Sequence, residues 1–170
     1  MLGFVNAGLE LAGQVAEGKM PEPQAVFLPY GSGGTAAGLS LGFQLAGLKT
    51  RVIAVRVFDR MFSNLPALKK AVTAIAGYMQ RRGSAAGLPA RTGDNLEIRH
   101  GYFGGRYGRP TPAGHKALEA FREHAGIKLE LTYTAKAAAA FLEAAREMPG
   151  PLLFWNTYSS ADLSRWIGKG

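Results

Sequence analysis

Residues 25–47 read AVFLPYGSGGTAAGLSLGFQLAG. Ala25 to Leu28 is a short, continuous apolar run, and its length and composition suit a buried strand. The run leads into GSGGT at 31–35 and then into Leu39, Phe43 and Ala46 at helical spacing, a stripe that Gly47 closes. A strand that passes through glycines straight into a helix points unpaired backbone N–H groups and the positive end of a helix dipole at one spot. Such a spot suits an anion, a phosphate above all. Gly31, Gly33 and Gly34 let the backbone come close, and Ser32 and Thr35 add hydroxyl donors. The same residues also read as a tight strand-to-helix turn with no ligand.

Two nucleotide motifs bear on this loop. No Lys-Ser or Lys-Thr pair directly follows the loop glycines, which excludes a Walker loop there. Gly31, Gly33 and Ala36 do match G-x-G-x-x-A, and Asp59 follows the next strand where a ribose-binding acid sits in dinucleotide folds, so that alternative stays open at this point.

Outward from the loop, helices and strands alternate. Residues 4–17 place Val5, Leu9, Ala12 and Ala16 on one helical face, and Gly18 ends the pattern. Arg51 to Val57 is β-branched and alternating, a second strand. Asn64 to Arg82 carries Leu65, Leu68, Val72, Ile75 and Met79 at helical spacing, with Pro66 in the first turn. From Gly83 to Pro110 the pattern gives way to a Gly- and Arg-rich stretch, long enough to suggest a functional loop. Thr111-Pro112 starts a helix that Gly126 ends. A strand over Lys128 to Tyr133, an Ala-rich helix over Ala135 to Met148, a strand over Leu152 to Trp155 and a last helix over Ala161 to Ile167 complete an α/β order with parallel strands.

Composition narrows the chemistry. With 170 residues and 47% hydrophobic content the chain builds one core, and a disordered chain is excluded. The absence of cysteine excludes disulfides, thiolate metal sites and a cysteine nucleophile. His100, His115 and His124 do not stand at helical metal-pair spacing. No basic leader or long apolar run opens the sequence, so the expectation is a cytoplasmic protein with no membrane partner. The net charge of +8 is concentrated in residues 59–109, which hold nine Lys and Arg against three acids. That stretch lacks the interleaved aromatics of a base-stacking surface, so nucleic acid is not expected as a partner and a small anionic ligand is.

Read in order, FVNAGLELAGQV (4–15), LPYGSGGTAAGLSLG (28–42), YGRPTPAGHKAL (107–118), TYTAKAAAAF (132–141) and LLFWNTYSS (152–160) form a recognisable series. They resemble the C-terminal half of the pyridoxal-phosphate enzymes of the D-cysteine desulfhydrase and 1-aminocyclopropane-1-carboxylate deaminase family, which have the tryptophan-synthase-β type of fold. The resemblance implies a parallel-sheet, three-layer α/β/α arrangement, a partial large domain of that fold, with residues 1–170 as a single domain. It implies that Gly31, Ser32, Gly33, Gly34 and Thr35 wrap the phosphate of pyridoxal 5'-phosphate. Tyr107 and Tyr133 then face the substrate side, and Thr157 bonds the pyridine nitrogen. Thr134 stands where the deaminase branch has Glu, which favours the desulfhydrase side, although its hydroxyl also suits the cap of the following helix. The chain departs from the family pattern at Arg106, Ala135, Tyr158 and Ser159.

The implied activity is β-elimination on a small amino acid, releasing pyruvate and ammonia. In the family, the lysine that forms the Schiff base and a Ser-Asn loop belong to an N-terminal half. The expectation is that both are absent here and that the chain alone is inactive. The expected partner is a second copy, as a homo-oligomer, or a complementary N-terminal half, with contacts through Val5 and Leu9 or through the strand Arg51 to Val57. The other function classes are a non-catalytic phosphate-binding or self-associating remnant and, less favoured, a dinucleotide-binding domain.

Overall fold

The computed structural model describes residues 1–84, 87–159, 161 and 166. Its elements are α1 (Leu2–Ala16), β1 (Ala25–Tyr30), α2 (Gly34–Leu45), β2 (Arg51–Arg56), α3 (Leu65–Arg81), β3 (Leu96–Arg99), α4 (Pro112–Ala125), α5 (Thr134–Ala144) and β4 (Leu152–Phe154). The helix expected over 161–167 lies almost wholly outside the described residues.

The four strands form one parallel sheet in the order β3-β2-β1-β4. Alternation along β1 sorts the two faces. Val26, Leu28 and Tyr30 point into a core shared with α1, α2 and α3, while Ala25 and Phe27 point into a second core beneath α5. Helix α4 covers the outer side of α5 through Ala117 and Phe121, so helices lie on both faces of the sheet, as expected. Pro29 is tolerated in this central strand for a local reason. Residues 25, 27 and 29 present their backbone groups toward β4, but pairing with β4 ends where Trp155 N–H donates to Phe27 C=O, so the missing N–H of Pro29 has no ladder partner to lose.

Helix α1 lies directly on α2, and glycines set that approach. A Cβ on Gly42 would stand 2.5 Å from the Val5 carbonyl oxygen, and one on Gly8 would stand 3.1 Å from Gly42 Cα. This contact corrects the expected apolar face of α1. The buried line runs through Val5, Gly8 and Leu11, whereas Leu9 is 41% exposed, because the helix turns its glycine toward its neighbour. Val5 is buried inside the chain's own core and is not a free contact surface. The strand Arg51–Arg56 is likewise no open edge, being paired with β1 on one side and β3 on the other.

Two further expectations are corrected. The stretch 83–110 contains β3, in which Leu96 and Ile98 face the core while Glu97 reaches across to Arg51 at 3.2 Å. Residues 128–133 form no strand. There the Glu130 carboxylate accepts the N–H groups of Thr132, Tyr133 and Thr134 at 2.7–2.8 Å, which curls the backbone into a turn, and Leu129 packs between α4 and α5. The expected start and stop of α4 are present, Thr111 accepting Gly114 N–H at 3.1 Å and Gly126 ending the helix at φ 66°, and Asn64 caps α3 by accepting Ala67 N–H at 2.9 Å.

Candidate functional site

The strand order creates the site. From β1 the chain steps outward to β2 and β3, and β4 then returns to the opposite side of β1, so the connections that leave β1 and β4 diverge. In open parallel sheets such a switch point opens a crevice beyond the carboxyl ends of the strands. The glycine loop leaves β1 there, and residues 155–158 leave β4 beside it.

Gly33 is the N-cap of α2, with φ 84°, a conformation that favours glycine. A Cβ there would also come within 2.9 Å of Leu68 Cδ1 and Tyr30 Cε2, so side-chain absence is required twice over. The first intrahelical bond runs from Ala37 N–H to the Gly33 carbonyl. Among the described residues no protein acceptor meets the amides of Gly33, Gly34 and Thr35, and the first turn holds no acidic side chain. The loop is fastened from the turn that precedes α3: the buried Ser63 hydroxyl donates to Gly31 C=O at 2.9 Å, and the Tyr30 hydroxyl donates to Asn64 C=O at 3.0 Å.

Tyr133 leans over this loop, its Cε1 only 3.1 Å from where a Gly31 Cβ would sit. Its hydroxyl oxygen lies 2.5 Å from that of Tyr107, and the two rings meet edge to face with centroids 6.0 Å apart. Phe58 supports Tyr107 from behind at 5.3 Å. The hydrogen bond with Tyr107, then burial and the nearby Glu130 charge, push the Tyr133 phenol up to about 12, so it keeps its proton at neutral pH. Tyr107, Tyr133 and Thr157 line one cleft of about 370 Å³, together with Glu130, Thr132 and Tyr158. The structure thus brings together three residues singled out in the sequence and sets Gly31 against one of them. Ser32 to Thr35 continue from there into α2.

Several participants escaped the sequence reading. Glu130 ties down the start of α5; an acid four residues before a helix start was the available signal. Thr134 is not the cap itself but the first helical residue, buried, with its hydroxyl bonded to Glu130. Asp59 holds a turn by accepting Met61 N–H at 2.8 Å. No lysine lines the cleft among the described residues. Lys136 is buried and bonds the Phe103 carbonyl.

The residues of this site suit pyridoxal phosphate. The three unpartnered amides and the Ser32 and Thr35 hydroxyls suit a phosphate, and the neutral hydroxyl of Thr157 on the cleft wall suits a ring nitrogen.

The model of the family described as "Pyridoxal-phosphate dependent enzyme" matches residues 1–157. The chain is 35% identical over 163 residues to nocardicin C-9' epimerase of Nocardia uniformis subsp. tsuyamanensis, covering 95% of this chain and 47% of that protein. It is 29% identical over 160 residues to D-cysteine desulfhydrase of Klebsiella pneumoniae (strain 342), covering 92% and 45%. The chain therefore spans about half the length of the curated relatives it matches. Among solved structures it superposes on an ACC deaminase homologue with a TM-score of 0.68 at 23% identity, over 88% of this chain and 44% of that one. A threonine deaminase from T.th. gives 0.54 at 22% identity, over 89% and 55%. These likenesses show the fold. No helix among the described residues is long and apolar enough to cross a membrane.

Proposed function

The chain belongs to the pyridoxal-phosphate dependent enzyme family, and we propose that it supplies the cofactor-phosphate and substrate-facing part of a lyase or deaminase acting on a small amino acid. The observation that carries this reading is the meeting of Tyr107, Tyr133 and Thr157 in one cleft beside the glycine loop at the switch point. The cofactor, when bound, supplies an electron sink for the bonds at the substrate α-carbon. The amides of Gly33, Gly34 and Thr35 would hold its phosphate, aided by the Ser32 and Thr35 hydroxyls, and Thr157 would meet its ring nitrogen. A neutral hydroxyl at Thr157 offers no carboxylate to hold a proton on that nitrogen, which suits β-elimination, where the departing group carries the electrons away. Tyr133, still protonated at neutral pH, holds a proton on the substrate side, with Tyr107 as its hydrogen-bond partner.

Among the described residues no lysine lines the cleft, and we propose that the amine that joins the cofactor is supplied by a complementary N-terminal half. The chain works as residues 1–170 of one domain, with a second copy or a complementary N-terminal half as partner. The outer edges of β3 and β4, unpaired among the described residues, are the places for such a contact. A second reading, epimerisation of an amino-acid centre, is favoured by the 35% identity to the epimerase. Both reactions begin with loss of the α-proton. Pyruvate and ammonia mark elimination, whereas inverted configuration at the α-carbon of the recovered amino acid marks epimerisation.

The test is an amide NMR titration of the chain with inorganic phosphate and with pyridoxal phosphate. Saturable shifts at Gly33, Gly34 and Thr35 are expected, and shifts confined to surface lysines and arginines would refute the cradle. Borohydride reduction of the pyridoxal-phosphate mixture should leave no stoichiometric adduct at one lysine; such an adduct would overturn the assignment of the amine.

A further inference from the structure

Lys136 is fully buried although it is charged, and the cleft chemistry does not use it. Burying an ammonium costs several kcal/mol unless hydrogen bonds and charges compensate it, so a buried lysine asks what it holds. Its Nζ donates to the Phe103 carbonyl at 2.8 Å and lies 5.8 Å from the Phe103 ring. The Arg56 guanidinium, reaching from β2, stands over the same ring at 5.4 Å. Glu130, just before α5, is the acidic charge that faces Lys136.

Phe103 belongs to GYFGGRYG at 101–108, in which Gly101, Gly104, Gly105 and Gly108 all have positive φ. Four such glycines give the segment little stiffness of its own, so its shape must come from contacts. The chain folds back after Phe103: a Cβ on Gly104 would stand 2.9 Å from Thr111 Cγ2 and 3.2 Å from the Arg109 carbonyl oxygen. A turn closed by Arg109 N–H on the Arg106 carbonyl then presents Tyr107. Tyr107 is 51% exposed, so its own burial does little to fix it. Tyr133, the N-cap of α5, and Lys136 stand three residues apart and share a helix face, which sets the pin beside the tyrosine that Tyr107 must meet.

We propose that Lys136 is a positioning residue: its ammonium pins the 101–108 segment to α5 and thereby seats the Tyr107 hydroxyl on that of Tyr133. Its importance for catalysis rests on the reading that these tyrosines face the substrate; the pinning itself does not. Tyr102, whose hydroxyl donates to Glu143 at 2.5 Å, is a second anchor on the same helix and an internal control.

The experiment is an ultraviolet titration of tyrosine ionisation in the 170-residue chain, with Tyr133→Phe and Tyr102→Phe subtractions assigning the two phenols. In Lys136→Met, Tyr133 should ionise nearer its ordinary 10.0 than about 12, while Tyr102 stays near 12. Lys136→Gln, which keeps a donor for the Phe103 carbonyl, should restore part of the effect. A folded Lys136→Met chain with Tyr133 unmoved would overturn the proposal. Should that variant fail to fold, amide exchange of Lys136→Gln decides. Partial loss of protection at Arg109 with α5 unchanged supports the pin, and either unchanged protection at Arg109 or equal loss in both overturns it. Failure of the phosphate titration above would leave this result untouched, so the two readings fall separately.

Discussion

The Ser63 hydroxyl donates to the Gly31 carbonyl at 2.9 Å, tying the residue just before the α3 cap to the first residue of the glycine loop. Ser63 is fully buried, so this bond is shielded from water. Ser63→Ala leaves the Gly31 carbonyl without its donor and should cost about 1–3 kcal/mol. Urea denaturation measures the loss, and phosphate affinity should fall with it. A variant as stable as the parent would mean that the loop holds itself.

Gly33→Ala meets a positive φ and two close neighbours at once. Gly18 has a similar φ of 72° with nothing within 4 Å of a Cβ, so Gly18→Ala reports the backbone cost alone. We expect about 1–2 kcal/mol for Gly18→Ala and a further ~1–3 kcal/mol for Gly33→Ala from crowding against Leu68 and Tyr30. Equal losses in the two variants would show that the loop relaxes around the added carbon.

In helix interiors Gly→Ala ordinarily stabilises by about 0.5–1 kcal/mol. Gly13→Ala, with open space around it, should follow that rule. Gly42→Ala should reverse it, because the new methyl would stand 2.5 Å from the Val5 carbonyl oxygen and push α1 off α2, at about 1–3 kcal/mol. Thermal denaturation of both variants checks the opposite signs.

Tyr133 and Tyr102 are both pushed up to about 12, Tyr133 chiefly by its bond to Tyr107 and Tyr102 chiefly by burial. Between pH 10 and 12 the unfolded chain loses these protons while the folded chain keeps them. The stabilisation is therefore complete below about pH 10 and is lost as pH rises toward about 12. Denaturation midpoints measured from about pH 8 to about pH 12 should fall across that window, and less steeply in Tyr133→Phe. Identical profiles for parent and variant would contradict the raised Tyr133 value.

The sequence by itself determined what depends on near neighbours. The apolar run of β1, the glycines that permit Gly33 its positive φ, the period of α2 and α3, and the caps at Asn64, Thr111 and Gly126 are all local preferences of the backbone. The five stretches of family resemblance were legible for the same reason, as short strings of residues. Tertiary structure decided what local preference leaves balanced. The four residues of β3 are too few to announce a strand until β2 offers its edge, and 128–133 read as a strand until the Glu130 carboxylate drew three N–H groups into a turn. The buried side of α1 was fixed by the approach of Gly8 to Gly42 across two helices. The cleft itself belongs wholly to this second class. Tyr107, Tyr133 and Thr157 come from separate connections, and they converge because β4 returns beside β1 instead of extending the sheet past β3, a choice made by packing across the whole sheet.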